Sequence, residues 1–292
     1  MNRSTDLSDP APKSENPKAR PITAMTTPSI PFETASTDPS APLPPAQAAP
    51  RVWGLFGTLV WALVLFAVMV AASLIAVAGV DAWYGDRLPM DDPQVFLNHG
   101  VMIAATTSAA LVPILLTLTL AARWKRRSLA DYLALHWPSR RHLAFGLGAA
   151  LALLAVLDAL SWMTGRPLVP QVLIAQIGSA RELDALAFFA FGILVAAPIG
   201  EEAVFRGFFY RGLAESRLGP VLAVIITALV FASMHVQYDA FVMTQIVAIG
   251  LVLGVMRMVS GSTLLTMIMH ALYNAAALLQ SMWLAGVFGE SG

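Results

Sequence analysis

Long apolar stretches alternate with short polar connections from Val52 to the end of the chain. A helix needs about 20 apolar residues to cross the hydrocarbon core of a bilayer, and the pattern predicts about seven such spans. The predicted spans are Val52–Val80, Val101–Ala122, Leu143–Met163, Ala185–Gly200, Pro220–Met234, Ala240–Val259 and Thr263–Phe288. Residues 164–184 leave room for an eighth helix. We therefore expect an all-α, polytopic membrane helix bundle of about 7–8 transmembrane helices.

Residues 1–50 have the opposite character, because they hold 11 of the 19 prolines and no apolar run. Such a segment buries too little apolar surface to offset its ordering entropy, so we predict a disordered, Pro-rich tail. The rest of the chain is divided into N-terminal transmembrane helices over residues 51–184 and a catalytic core over residues 185–288.

The amino-acid composition excludes several classes of protein. Of the 292 residues, 57% are hydrophobic, 12% are charged and none is cysteine. These values exclude a soluble enzyme, a disulfide scaffold and a thiolate metal site. Lys and Arg together number 18, as do Asp and Glu. The balanced charge argues against a protein that binds nucleic acid.

Charge in the connections predicts the orientation. Residues 123–141 carry six Arg or Lys and one Asp, whereas residues 81–98 carry four Asp and one Arg. By the positive-inside rule, the first of these connections is cytoplasmic. The N-terminus is then cytoplasmic as well. We expect a multi-pass protein of the plasma (inner) membrane, whose surroundings are the lipid bilayer.

Placing an ionisable side chain inside a membrane span costs free energy, so such residues are candidates for a functional role. The most informative stretch lies around residue 202. Glu202 and Arg206 are four residues apart, so they share a helical face and are expected to pair. Glu201 points about 100° away from that face and has no partner at this spacing. Pro198 lacks a backbone donor and predicts a kink one turn earlier.

Helix geometry brings Glu201 and His235 to the same height. The sequence Leu218-Gly219-Pro220 is a turn signal, so the flanking helices are expected to form an antiparallel hairpin. Glu201 lies 17 residues before Leu218, and His235 lies 17 residues after it. At 1.5 Å per residue, both lie roughly 25 Å from the turn. We therefore expect the two side chains to meet within the membrane.

The last span brings a second imidazole to a similar depth. His270 lies roughly 12 Å from the preceding inner turn. Asn274 follows four residues later and shares the face of His270. Phe231 has the same spacing to His235 and is expected to form one wall of a cavity.

This set of side chains supports hydrolysis. A Glu and a His that converge on one water can activate it as general bases. A second His and an Asn amide can hold the developing oxyanion. The first hypothesis is a peptide hydrolase that needs no cofactor and forms no covalent intermediate. A zinc site with the ligands Glu201, His235 and His270 is the alternative, although Asn is a poor zinc ligand and no H-E-x-x-H helix is present.

Two functions without hydrolysis stay open. The polar cluster of a membrane scaffold or immunity protein would serve only to hold helices together. A proton-coupled transporter would use Glu201 and the two His residues as a relay. It ranks last because the sequence shows no paired repeat. Asp158 and Tyr273 are interpreted as structural.

Three motifs in this order resemble the family of CAAX proteases and bacteriocin-processing enzymes (CPBP, or Abi), which is related to the type II CAAX prenyl proteases. The pattern EExxxR matches Glu201-Glu202-Ala203-Val204-Phe205-Arg206, FxxxH matches Phe231-Ala232-Ser233-Met234-His235, and HxxxN matches His270-Ala271-Leu272-Tyr273-Asn274. The resemblance covers roughly residues 185–285.

The resemblance implies an intramembrane glutamate-type endopeptidase. Glu201 and His235 would then activate the water, and His270 and Asn274 would form the oxyanion hole. Two further residues, Glu202 and Arg206, would support the site. The implied substrate is a membrane-anchored protein or peptide.

Overall fold

The computed structural model describes residues 52–88, 92, 98–284 and 286, and within them it contains helices and no strand. The predicted tail, residues 1–50, lies outside the described residues. In chain order the helices are α1 (Leu55–Tyr84), α2 (Gly100–Trp124), α3 (Leu129–Leu133), α4 (Arg140–Met163), α5 (Gln171–Glu182), α6 (Leu186–Ala214), α7 (Gly219–Ser233), α8 (Ala240–Ser260) and α9 (Thr263–Leu284). A 3₁₀ turn at Gly85–Arg87 follows α1. The predicted all-α class is confirmed.

Six of the described helices, α1, α2, α4, α6, α8 and α9, are long and apolar enough to cross a membrane. The shorter helix α7 has 15 residues and is also apolar. Helix α5 occupies the region considered for an eighth span, but its 12 residues make it too short for a 30 Å hydrocarbon core. The chain is an integral, multi-pass membrane protein.

Helix α6 is the helix whose extent differs most from the prediction. The predicted span ends at Gly200, where the apolar run meets two glutamates, whereas α6 continues through them to Ala214. In the most apolar 18-residue stretch of α6, 56% of the residues are buried inside the protein, compared with 17% for α1 and 11% for α4. Helix α6 is therefore surrounded by other helices and carries its charges into the protein interior rather than into lipid.

Two stretches of α6 depart from α-helical geometry. They are π-helical over Gly192–Ala196 and Ala203–Phe209, and an α-helical stretch, Ala197–Glu202, lies between them. Pro198 lies at the start of that stretch, where its missing N–H and its ring disfavour a regular turn. Where the sequence predicts a kink, the structure has a π-helical turn. Such turns are frequent at functional sites.

The start of α2 packs closely against α5. The backbone N–H of Gly100 donates to the Ser179 hydroxyl at 2.9 Å. A Cβ at Gly100 would lie 2.1 Å from the carbonyl oxygen of Gln176, which is a backbone atom that cannot move aside easily. This contact therefore requires glycine at position 100.

We predict that Gly100→Ala lowers the free energy of unfolding by about 1–3 kcal/mol, because the new methyl group overpacks the contact between α2 and α5. Gly148→Ala in α4 is the matched control, since nothing lies within 4 Å of a Cβ at that position. The control should be neutral or slightly stabilising. Thermal unfolding of both variants in one detergent checks this, and equal midpoints would contradict it.

Candidate active site

The centre of the protein holds a buried ion pair on α6. The Nη1 atom of Arg206 donates to Oε1 of Glu202 at 2.8 Å, and both side chains are fully buried. The pairing predicted from the four-residue spacing therefore forms. A buried ion pair is stable only if further hydrogen bonds compensate the loss of water.

Arg206 makes those further contacts with two other helices. Its Nη2 atom donates to the Gly250 carbonyl on α8 at 3.0 Å. Its guanidinium lies 4.6 Å from the ring centre of Phe231 on α7, which is a cation–π distance. The ion pair thus fixes α6 against α7 and α8.

Glu202 also holds His270, which lies on α9. The Nδ1 atom of His270 is 2.9 Å from Oε1 of Glu202. A carboxylate that is paired with Arg206 can only accept, so the proton of this hydrogen bond belongs to Nδ1. The other ring nitrogen, Nε2, therefore faces away from Glu202. Its orientation is set by the ion pair.

Glu201 is the carboxylate on that other side of His270. Its Oε2 atom lies 3.9 Å from Nε2 of His270, which is too long for a direct hydrogen bond. This oxygen is buried and has no hydrogen-bond partner among the described residues. The two neighbouring glutamates are therefore in different states: Arg206 compensates the charge of Glu202, whereas Glu201 has no cation of its own.

Glu201 lines a cavity of about 370 Å³ between α6 and helices α1, α2 and α7. It is the only ionisable residue in a lining that is otherwise mostly apolar, with Leu65, Met69, Ile114 and Phe205 among its members. The exposed fraction of the Glu201 side chain is 34%, so part of this side chain is accessible although Oε2 is buried.

His235 lies after the end of α7, whereas the estimate of its height from the turn at Leu218 treats it as helical. Helix α7 ends at Ser233, and His235 follows in the turn before α8. Its Nδ1 atom is 2.9 Å from the Phe231 carbonyl near the end of α7.

A second, smaller cavity of about 170 Å³ brings together Phe231, His235, His270 and Asn274. The Phe231 ring lies between the two imidazoles, with ring centres 4.8 Å from His235 and 5.7 Å from His270. Glu201 is not in the lining of this cavity but reaches His270 from the other one. The predicted residues thus surround His270, and Glu201 contacts His270 rather than His235.

Asn274 lies one turn after His270 and is tied to α6. Its Nδ2 atom donates to the Ile193 carbonyl at 2.9 Å, within the first π-helical stretch. An amide nitrogen has two hydrogens, and this bond uses one of them. The second hydrogen remains as a donor.

The lining of the smaller cavity also includes ionisable residues that were not predicted as functional, namely Tyr238, Asp158 and Tyr273. The Tyr238 ring stacks on His235 at 6.2 Å, and Asp158 accepts a hydrogen bond from Gln280 at 2.9 Å. They come from separate elements, and no spacing along one helix indicates that they meet.

The Tyr238 hydroxyl is held in its protonated form. Burial raises the pKa of Tyr238, a hydrogen bond with Gln237 lowers it, and the negative charge of Glu201 raises it further. Tyr238 is therefore a hydrogen-bond donor at neutral pH. It lies beside His235, where a bound peptide could accept from it.

The zinc alternative involves Glu201, His235 and His270. Among the described residues, no group of three or more His, Cys, Asp or Glu side chains is placed to hold a metal ion. The Nδ1 atoms of His235 and His270 lie 2.9 Å from the Phe231 carbonyl and from Glu202, respectively, which leaves Nε2 as the other nitrogen of each ring.

Comparison with known families covers the part of the chain that holds this site. The family model described as type II CAAX prenyl endopeptidase Rce1-like matches residues 183–276, which include all three motifs. Over these residues the chain is similar to the CAAX-type proteases, and the resemblance drawn from the sequence is confirmed there. No curated protein and no solved structure matches the chain.

We predict that Glu202→Gln lowers the free energy of unfolding by about 3–5 kcal/mol, because it leaves the buried Arg206 without a counter-charge. The control is Glu215→Gln, which breaks a second pair of the same spacing and length, Arg211 to Glu215 at 2.8 Å. That pair is partly exposed, so its loss should lower the free energy of unfolding by less than about 1 kcal/mol. Unfolding titrations in one detergent compare the two variants. Equal losses would contradict the role given to the buried pair.

Proposed function

We propose that this protein is an endopeptidase that hydrolyses a peptide bond of a membrane-anchored protein or peptide within the bilayer. The observation that carries the proposal is the His270 imidazole, which is held by Glu202 on one nitrogen and faces the uncompensated Glu201 on the other. The match of residues 183–276 to the family model of type II CAAX prenyl endopeptidases supports the same reaction.

In the proposed mechanism, Glu201 is the general base. It is the carboxylate without a guanidinium partner, so it is free to take a proton from water. His235 helps to orient this water through Nε2, because its Nδ1 faces the Phe231 carbonyl. The activated water attacks the peptide carbonyl directly, and no enzyme atom becomes bonded to the substrate.

His270 and Asn274 hold the developing oxyanion. In this step His270 donates from Nε2, while its Nδ1 stays hydrogen-bonded to Glu202. The Nε2–H group and the second amide hydrogen of Asn274 belong to residues one helical turn apart that line one cavity. Each such donor typically contributes about 10²–10³ in rate.

The larger cavity indicates the substrate class. It is mostly apolar, has Glu201 in its wall and is bounded by α1 and α2. An apolar segment bound there would place an adjacent peptide bond near Glu201. A membrane-anchored chain has such a segment beside its polar part, whereas a soluble peptide generally lacks it.

We also infer the orientation of the protein in the plasma (inner) membrane. The connection between α2 and α4 carries the basic residues, and Arg211 near the end of α6 donates to carbonyls of Asp131 and Tyr132 at 2.7 and 2.8 Å. Two basic segments therefore lie at one end of the bundle. By the positive-inside rule this end and the N-terminus are cytoplasmic.

We predict that Glu201→Gln reduces peptide cleavage by about 10²–10⁴-fold, because the amide cannot accept the proton of the water. The variant should still insert into the membrane, since Glu201 is not part of the buried ion pair. Bacterial membranes incubated with purified wild-type or variant protein are compared by mass spectrometry of the released peptides. Glu215→Gln is the control and should release the wild-type set. Identical peptides from wild-type protein and Glu201→Gln would contradict the proposal.

We predict that cleavage does not depend on zinc. Dialysis against a strong zinc chelator should leave the set and the rate of released peptides unchanged, because the proposed base and oxyanion donors are protein side chains. Zinc content of the purified protein is measured in parallel. Loss of cleavage on dialysis and recovery on addition of zinc would favour the metal-dependent alternative.

A further inference from the structure

A third cavity, of about 480 Å³, lies at the end of the bundle that carries α3. We term it the basic cavity. Its charged and polar lining residues are Arg127, Asp131, His136, Tyr210, Arg211, Glu215 and Arg257. None of the candidate catalytic residues is in its lining, so it is a separate feature of the molecule.

Arg257 on α8 is the buried cation of this cavity. The residue is 7% exposed, and its Nε atom donates to the Arg206 carbonyl and to the Thr263 hydroxyl, each at 3.0 Å. Within the described part of the chain, no carboxylate lies within ion-pair distance of it, and its two Nη atoms make no hydrogen bond. A buried cation without a counter-charge is costly. An anion in the cavity would supply that charge.

Arg127, between α2 and α3, adds a second unsatisfied donor. Its Nε atom is buried and has no partner among the described residues. Like Arg257, it lines the basic cavity. The cavity therefore offers guanidinium donors from two separate elements of the fold.

Among the described residues, the carboxylates of the cavity form no ion pair with these two cations. Glu215 pairs with Arg211 at 2.8 Å, and the carboxylate of Asp131 accepts from the Ser128 hydroxyl at 2.7 Å. The lining contains three guanidinium groups and two carboxylates, together with His136. The balance of charge therefore favours an anion.

We propose that the basic cavity binds a phosphate group, either of an anionic lipid headgroup or of a free phosphate, with Arg257 and Arg127 as its donors. The guanidinium fork matches the oxygens of a phosphate and can bind two of them at once. The cavity lies at the basic end of a membrane bundle, where anionic headgroups collect. The proposal is independent of the peptidase reaction.

Binding to the purified wild-type protein in detergent is measured by native mass spectrometry and by titration calorimetry. The probes are inorganic phosphate, dioctanoyl phosphatidylglycerol and dioctanoyl phosphatidylcholine. We expect one phosphatidylglycerol per chain, bound more tightly than phosphatidylcholine, whose headgroup has no net charge. Competition by inorganic phosphate would identify the phosphate itself as the ligand, and its failure to compete would identify the lipid headgroup.

Arg127→Gln should weaken binding about tenfold, because it removes a hydrogen bond to a charged group. Arg217→Gln removes the same charge from an exposed residue outside the cavity lining and should leave affinity unchanged. Arg257→Gln should also weaken binding, and its thermal midpoint shows whether the fold is intact. If Arg257→Gln does not fold, the affinities of Arg127→Gln and Arg217→Gln are compared instead to test the proposal. Absence of saturable binding, or equal losses in the variants at 127 and 217, would overturn the proposal.

Discussion

The buried ion pair of Glu202 and Arg206 is the interaction on which the rest of the site depends. It allows α6 to carry charge through the middle of an apolar bundle, because the two opposite charges lie 2.8 Å apart. Arg206 reaches the Gly250 carbonyl on α8 and the Phe231 ring on α7, and Glu202 reaches His270 on α9. One pair therefore fixes the positions of three neighbouring helices. Removing one partner of such a pair is strongly destabilising, because it leaves an uncompensated buried charge.

The same pair gives two adjacent glutamates different chemistry. Successive side chains on a helix point about 100° apart, so Glu201 cannot share the guanidinium that Glu202 binds. Glu201 is directed instead toward His270 and the larger cavity, and the π-helical stretch that contains Arg206 begins directly after Glu202. His270 is the common element, since one nitrogen binds the compensated carboxylate and the other faces the free one.

Much of the fold could be predicted from the sequence, because lipid requires long apolar runs. Predicted and observed ends differ by only a few residues for α2, α4 and α8. The predicted apolar span of α6 ends at Gly200, since a count of apolar residues cannot show that the charges that follow compensate each other. The spacing within α6 did predict the Glu202–Arg206 pair. The sequence pattern does not indicate which residues of separate helices touch, so the approach of Glu201 to His270 and the position of Tyr238 beside His235 were not predicted.

The most direct test of this account is the protonation of the His270 ring. Long-range ¹H–¹⁵N correlation spectra of labelled protein in micelles distinguish the two ring nitrogens, and His270→Gln assigns the signals. We expect a proton on Nδ1 in the wild-type protein and a lower occupancy of that proton in Glu202→Gln, since Glu202 is its hydrogen-bond acceptor. A wild-type ring protonated only on Nε2 would contradict it, because the ion pair would then not hold the imidazole.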